Sequence, residues 1–208
     1  MNNDMQSSLY VLLQRAREGN RAEQDRLFQA CRNYLDLVAR AQLETWMQAK
    51  ADASDLVQQT LLEAHRDFHR FEGHTEGEWL AWLRKILANN AGDFIRRFRQ
   101  TSKRSIKREI SLTPFNEDSQ PLPWEPKDQG QSPSALVMQR ELEIQLADAV
   151  AELPEDYREV ILLRNLQRLP FDQVAQRMGR SRPAVQMLWM RAIRKLQECL
   201  NSDQDQTV

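Results

Sequence analysis

The chain has 208 residues, of which 41% are hydrophobic and 28% charged, so its composition is that of a globular protein with room for two small domains. No apolar run approaches the roughly 20 residues that span a bilayer, and MNNDMQSSLY at the N-terminus lacks the basic and apolar segments of a secretory signal. Cys31 and Cys199 form no metal-binding or redox spacing, and a cytoplasmic location is expected.

The formal net charge of -1 conceals a strong segregation of charge along the chain. Residues 93–108 carry seven basic groups and one acid, a balance of +6. Residues 109–159 carry a balance of -9, and residues 171–200 one of +4. Each basic segment lies at the end of a helical unit, which favours contacts with phosphate groups.

The first hundred residues show helical patterns throughout. Residues 8–18 predict a short helix that stops at Gly19. A longer helix is predicted from about Ala22 to Met47, with Cys31 on its apolar stripe as a buried thiol. No segment has the alternating pattern of a strand, so a bundle of about four helices is expected.

Residues 55–99 predict two amphipathic helices joined by a loop, Glu72 to Gly77. The first has an apolar stripe, and its opposite face combines polar side chains with the apolar Leu62. The stripe is formed by Val57, Leu61, Ala64, Phe68 and Phe71. The second stripe is formed by Leu80, Leu83, Leu87, Ala91, Phe94 and Phe98. The second helix also carries Lys85, Asn89 and Arg96 on a separate face and ends in a basic run, so we expect a partner protein on one side and nucleic acid on the other.

A linker is predicted between the two basic segments. Residues 111–134 contain five of the eight prolines of the chain, a density that excludes regular structure and favours an extended path. Trp124 lies in its middle. Two interpretations of this tryptophan carry equal weight, namely an exposed side chain and an anchor in the groove of a partner.

A helix-turn-helix is predicted at residues 170–196, PFDQVAQRMGRSRPAVQMLWMRAIRKL. Gly179 permits a left-handed turn, Ser181 can cap, and Pro183 suits the first turn of the second helix. Its N-terminal residues would reach base edges, and basic side chains around them would contact phosphates. The candidates for base contact are Arg182, Ala184, Gln186 and Met187. The candidates for phosphate contact are Arg180, Arg191, Arg194 and Lys195.

Taken in order, these segments resemble the bacterial RNA polymerase sigma-70 family, specifically the extracytoplasmic-function (ECF) sigma factors that retain the second and fourth sigma domains. LLQRAREGNRAEQDRLF is similar to the opening helices of sigma domain two. DLVQQTLLEAHRDFHRF is similar to the segment that docks on the clamp helices of the polymerase β′ subunit, and WLAWLRKILANNAGDFIRR to the helix that recognises and melts the −10 element. Residues 153–196 resemble sigma domain four, which binds the −35 element and the polymerase β flap.

The resemblance implies an all-α protein of two helical domains joined by the proline-rich linker. The domain-two bundle would comprise residues 1–104 and the linker residues 105–134. The domain-four helix-turn-helix would comprise residues 135–200, followed by a disordered tail at residues 201–208.

The resemblance also implies roles for individual residues. The β′ docking face would consist of Asp55, Gln58, Gln59, Leu62 and Glu63. The Glu72–Gly77 loop would capture a flipped base of the −10 strand, with Glu72, His74 and Thr75 as contacts. The neighbouring −10 DNA would be held by Lys85, Asn89, Arg96, Arg97 and Arg99. Ser181 would join the −35 surface, and Trp82 is expected mainly in the core.

The implied function is that of a cytoplasmic, non-enzymatic initiation factor that directs core RNA polymerase to promoter DNA and opens the −10 region. No cofactor, metal or membrane contact is expected. Control by an anti-sigma factor, by a kinase or by expression level stays open. An alternative is a helix-turn-helix regulator that is not a polymerase subunit, but it leaves the Asp55 face unexplained. His65 and His69 have a spacing that can bind zinc, yet without a third ligand a solvated pair is expected.

Overall fold

The computed structural model describes residues 8–42, 53–105 and 133–205, and the regular structure in these ranges is entirely helical. Within the helices, the side chains of residues 8, 42, 95, 97–105, 133–141 and 202–205 lie outside the description. The all-α class predicted from the sequence is therefore confirmed. Most of the predicted linker and residue Trp124 fall outside the described ranges.

The N-terminal half contains five helices in the described part of the chain. They are α1 (Ser8–Arg17), α2 (Arg21–Ala30), α3 (Arg32–Gln42), α4 (Ala53–Asp67) and α5 (Glu76–Ser105). A 3-10 turn, Phe68–Arg70, follows α4. The C-terminal half has α6 (Pro133–Glu152), α7 (Glu155–Ile161), a π-helical turn (Leu162–Leu166), α8 (Phe171–Arg177) and α9 (Arg182–Asp205).

The long helix predicted from Ala22 to Met47 is wrong, because it is broken at Cys31 into α2 and α3. The backbone N–H of Cys31 donates to Phe28 O at 3.2 Å, which tightens the last turn of α2. The Cys31 thiol is fully buried, as predicted, and Trp79 Nε1 donates to its Sγ at 3.3 Å. Burial raises the pKa of this thiol to about 12.

The core of the N-terminal half forms where the apolar stripes of α4 and α5 meet α1, α2 and α3. Both predicted stripes are confirmed as far as Phe94, and the side chain of Phe98 lies outside the description. The buried members are Val57, Ala64, Leu80, Leu83, Leu87 and Ala91, and the partly buried ones are Leu61, Phe68, Phe71 and Phe94. The fully buried tryptophan is Trp79, whereas Trp82 is partly buried against it at a ring distance of 5.3 Å. The expectation for Trp82 was therefore only partly right.

The two halves contact each other through α3 and α5 on one side and α6 and the π-helical turn on the other. Arg84 Nη1 lies 3.9 Å from Glu143 Oε2 and donates to Tyr34 Oη at 2.9 Å. Asn33 Nδ2 donates to Asp148 Oδ1 at 2.8 Å. The side chains of Arg84 and Glu143 are 11% and 4% exposed, so this ion pair is shielded from water.

The C-terminal end of the chain differs from the sequence prediction. Helix α9 continues to Asp205, five residues beyond the predicted end of the folded part at Leu200. Residues 206–208 lie outside the described ranges. The N-terminal end agrees, since α1 ends at Arg17 and Gly19 has a φ of +90°, a conformation that glycine adopts at low cost.

Candidate nucleic-acid and partner interface

The candidate docking face lies on the outer side of α4. Asp55, Gln58, Gln59 and Leu62 are exposed, and each lies three or four residues from two of the others, which places them on one helix face. Glu63 is partly buried at its edge. Leu62 is 63% exposed, the largest exposed fraction among the large hydrophobic side chains that the structure describes as exposed. A polar helix face with one protruding leucine is suited to anchoring a partner helix.

A shallow apolar cleft adjoins Leu62. It has a volume of about 300 Å³ and is lined by Phe28, Arg32, Val57, Gln58, Leu61, Leu62 and His65. The cleft lies between α4 and the residues Phe28 of α2 and Arg32 of α3. An apolar side chain of a partner would be desolvated there.

The loop between the 3-10 turn and α5 is shorter than the sequence predicted. It ends at Thr75, because Glu76 and Gly77 already belong to the first turn of α5. Thr75 Oγ1 accepts the N–H of Glu78 at 3.2 Å, and Glu78 Oε2 accepts the N–H of Thr75 at 3.0 Å. This reciprocal pair is a capping box, and the pattern Thr-x-x-Glu at residues 75–78 would have located it in the sequence.

Glu78 also fixes the preceding residue of the loop. Its Oε2 accepts the backbone N–H of His74 at 2.9 Å. The hydrogen bond from the His74 backbone, followed by those from Thr75, lowers the pKa of Glu78 below its ordinary value. Glu72, His74 and Thr75 are all exposed, as base contacts must be.

The candidate −10 helix presents its polar residues on one face of α5. Lys85, Asn89 and Arg96 are exposed and are separated by four and seven residues, close to whole helical turns. Arg96 forms an ion pair with Asp93. The backbone of Arg97 and Arg99 is helical, but their side chains lie outside the described residues.

The C-terminal half contains the predicted helix-turn-helix in α8 and α9. Gly179 has a φ of +62°, and Ser181 Oγ accepts the N–H of Ala184 at 3.4 Å, so the turn and the cap are as predicted. Val174 on α8 and Val185 and Ala192 on α9 are fully buried. Leu188 is buried, whereas Met190 on the same helix is 52% exposed.

The outer face of α9 carries the predicted −35 residues. Ala184, Met187, Arg191 and Arg194 are exposed and recur at steps of three, four and three, so they share one face. Gln186 is partly buried at the edge of this face. Two arginines at its N-terminal end have acidic partners: Arg182 Nη1 lies 3.4 Å from Asp172 Oδ1, and Arg180 pairs with Asp156. Phosphate oxygens would have to compete with these carboxylates.

Comparison with protein families decides what these surfaces belong to. The family model for sigma-70 region 2 matches residues 21–101, and the family model for sigma-70 region 4 matches residues 143–196. The chain belongs to the sigma-70 family. The first match contains the α4 face, the loop and α5, and the second contains the helix-turn-helix. This ECF sigma factor is accordingly a transcription initiation factor.

Its relatives are sigma factors as well. The ECF RNA polymerase sigma-E factor of Haemophilus influenzae is 27% identical over 172 residues, which cover 80% of this chain and 81% of the relative. The RNA polymerase sigma factor CarQ of Myxococcus xanthus is 29% identical over 151 residues, 71% of this chain and 74% of the relative. A solved structure of CnrH in complex with the cytosolic domain of CnrY is 21% identical and covers 95% of this chain and 99% of that chain, with a TM-score of 0.35.

Other features of the described residues bear on the remaining predictions. His65 Nε2 lies 3.4 Å from Asp25 Oδ1, and His69 Nδ1 lies 3.1 Å from Arg66 O, so each imidazole has its own partner. No group of three or more metal-ligating side chains occurs in the part of the sigma factor that the structure describes. None of the described helices has the length and hydropathy needed to cross a membrane.

Sequence reasoning missed two residues that contribute to the candidate site. Gln14 and Arg17, on α1, reach the loop at Gly73 and His74. No local pattern in the sequence links them to it, because the contacts join residues 56 to 60 positions apart.

Proposed function

We propose that this sigma factor binds core polymerase through the outer face of α4 and promoter DNA through two separate surfaces. Asp55, Gln58, Gln59, Leu62 and Glu63 would contact the β′ clamp helices, and the C-terminal half would contact the β flap. The protein would act as an initiation factor without catalytic activity of its own, in the cytoplasm, where polymerase and DNA are found. Control by an anti-sigma factor, by a kinase or by expression level stays open.

The two DNA-binding surfaces would each contact a different promoter element. Glu72, His74 and Thr75 would capture a flipped base of the −10 strand. The −10 DNA and the phosphates just upstream would be held by Lys85, Asn89, Arg96, Arg97 and Arg99. The outer face of α9, together with Arg180, Ser181, Arg182 and Gln186, would read the −35 duplex in the major groove. The two surfaces would belong to domain two, residues 1–104, and domain four, residues 135–200, joined by the linker at residues 105–134.

The exposure of Leu62 is the observation that carries the core-binding part of the proposal. A leucine that is 63% exposed beside an apolar cleft leaves hydrophobic surface in water unless a partner covers it. A helix-turn-helix regulator that works without polymerase leaves this face unexplained.

Binding to core polymerase, and to a β′ fragment that carries the clamp helices, tests this assignment. Leu62→Ala should weaken both affinities by roughly tenfold, because the truncated side chain buries less apolar surface. Leu142→Ala is the matched control, since Leu142 is 50% exposed on α6, outside the proposed face. Equal affinities of the Leu62→Ala variant and the wild type for the β′ fragment would refute the docking face.

A further inference from the structure

Two side chains of α1 hold the loop that precedes α5. Arg17 Nη1 lies 2.6 Å from Gly73 O and 2.6 Å from His74 Nδ1. Gln14 Nε2 donates to His74 O at 3.3 Å. Gln14 and Arg17 are three positions apart and therefore lie on the same face of α1. The loop is thus tied to a helix outside the segment in which the predicted base contacts occur.

His74 is held from both sides as a result. Its carbonyl accepts from Gln14, and its backbone N–H donates to Glu78 on α5 at 2.9 Å. Between α1 and α5 the backbone of this residue has little freedom, although the side chain is exposed. A loop that is fixed before its ligand arrives avoids most of the entropic cost of ordering on binding.

The contact between Arg17 and His74 also selects one form of the imidazole. A guanidinium group can only donate hydrogen bonds, so Nδ1 of His74 must accept. The ring is then neutral and carries its proton on Nε2. This tautomer presents an N–H donor from the exposed loop, which suits an acceptor atom on a nucleic-acid base.

We propose that Arg17 is the positioning residue of the −10 loop, holding Gly73 and the neutral His74 in the conformation that accepts a base. Gln14 supports it through the carbonyl of His74. The inference rests on the proposed base capture by this loop and goes beyond it in two respects. It assigns function to residues of α1, and it specifies the tautomer of His74 that meets the DNA.

Single-stranded DNA binding by the holoenzyme tests the inference. The probe is an oligonucleotide selected from a random single-stranded pool on wild-type holoenzyme. Arg17→Ala should weaken its binding by roughly tenfold, since hydrogen bonds from a charged donor to two loop atoms are lost. Arg17→Lys should restore only part of the affinity, because an ammonium group lacks the planar fork of donors. Arg21→Ala is the matched control on an exposed arginine of α2.

A spectroscopic measurement separates positioning from a general loss of stability. The imidazole nitrogen shifts of His74, measured by NMR on 15N-labelled protein, should report the Nε2–H tautomer in the wild type and in Arg21→Ala. In Arg17→Ala they should move toward the average of a freely exchanging ring. Unchanged His74 shifts in that variant would overturn the inference.

His74→Ala distinguishes failure of the inference from failure of the proposed base capture. If His74→Ala leaves oligonucleotide binding unchanged, His74 does not contact the captured base, and the proposed base capture fails at this residue. If His74→Ala weakens binding but Arg17→Ala does not, base capture stands and the role of Arg17 is refuted. Should Arg17→Ala fail to fold, Arg17→Lys and Gln14→Ala carry the same test.

Discussion

Gly73 occupies a position where a side chain does not fit. A Cβ atom there would lie 2.4 Å from Cζ of Phe71 and 2.9 Å from Cβ of Glu78. Gly73→Ala should therefore displace the Phe71 ring and lower the free energy of unfolding by about 1–3 kcal/mol. Urea unfolding of the wild type and the Gly73→Ala variant measures this change in the free energy of unfolding. Gly92→Ala is the control, because an added Cβ at this helical position meets nothing within 4 Å and should stabilise the protein by about 0.5–1 kcal/mol.

The buried thiol of Cys31 makes a second residue-scale prediction, on pH dependence. Its pKa rises from an ordinary value of 9.0 to about 12 in the folded protein. Between these values the unfolded chain loses the proton while the folded chain keeps it, so the stability contributed by this group is complete below pH 9 and is lost as the pH rises toward 12.

Two measurements check the behaviour of Cys31. At pH 8 a thiol reagent should modify the partly exposed Cys199 well before Cys31, because only an accessible thiolate reacts. The difference in unfolding free energy between the wild type and Cys31→Ala should shrink above pH 9. Only the wild type has the Cys31 thiol, whose contribution to stability is lost in this pH range. Equal rates of modification at the two cysteines in the folded protein would contradict the burial.

At the scale of an element, the turn after the π-helical segment holds Arg168 at a φ of +55°, a left-handed conformation that glycine adopts more easily. Arg168 lies between two residues whose backbone N–H groups are both hydrogen-bonded: Gln167 N–H donates to Leu162 O, and Leu169 N–H donates to Leu163 O. Arg168→Gly should raise the free energy of unfolding by about 0.5–1 kcal/mol, the relief of strain exceeding the entropic cost of glycine. In thermal unfolding, Arg168→Ala should match the wild type, because it keeps the Cβ atom.

The recognition helix α9 carries another prediction at this scale. Gln186→Ala should weaken binding of holoenzyme to a selected promoter duplex by about 1–3 kcal/mol if the side chain contacts a base edge. Gln197→Ala removes the same side chain from an exposed position about three turns further along α9 and should have no effect. A gel-shift titration at fixed salt compares them, since affinity for DNA depends steeply on ionic strength. Indistinguishable affinities of the two variants would exclude Gln186 from −35 recognition.

The helices themselves were largely predictable from the sequence, because apolar periodicity is a local signal. The stripes through Val57 and Leu83 follow from it directly, and the turn at Gly179 follows from the conformational freedom of glycine. The exposure of Leu62 was predictable in the same way, since it is an apolar residue on the polar face of its helix. The end of the loop at Thr75 was also encoded locally, in a capping box.

The contacts across the fold were not predictable, because they depend on which helices become neighbours. Arg17 meets His74 only after α1 packs beside α5, and nothing near either residue marks the pair. The break at Cys31 likewise coincides with its contact to Trp79, 48 positions away. The ion pair of Arg84 with Glu143 belongs to the same class, since it joins the two halves of the molecule.

For the whole molecule, direct contact between the halves has a consequence for promoter binding. Recognition surfaces that bind sites one or more turns apart on a duplex must be separated by about 34 Å or more. In the free protein the halves meet through Arg84 and Glu143 at 3.9 Å and through Asn33 and Asp148 at 2.8 Å, and this contact fixes how the proposed −10 and −35 surfaces are placed relative to each other. If promoter binding needs a spacing of these surfaces other than the one this contact fixes, the halves must move apart, and the free energy of their contact opposes this movement.

Glu143→Gln tests that consequence in the free sigma factor. The substitution keeps the side-chain volume but leaves the shielded guanidinium of Arg84 without its carboxylate, and should weaken the contact by roughly 1–3 kcal/mol. The radius of gyration from small-angle X-ray scattering should increase, and the affinity of the free protein for a promoter duplex should rise with it. Glu152→Gln, on an exposed position of α6, should change neither quantity. A larger radius of gyration without tighter DNA binding would show that the contact between the halves does not compete with the promoter. An unchanged radius of gyration would show that Glu143 does not hold the halves together.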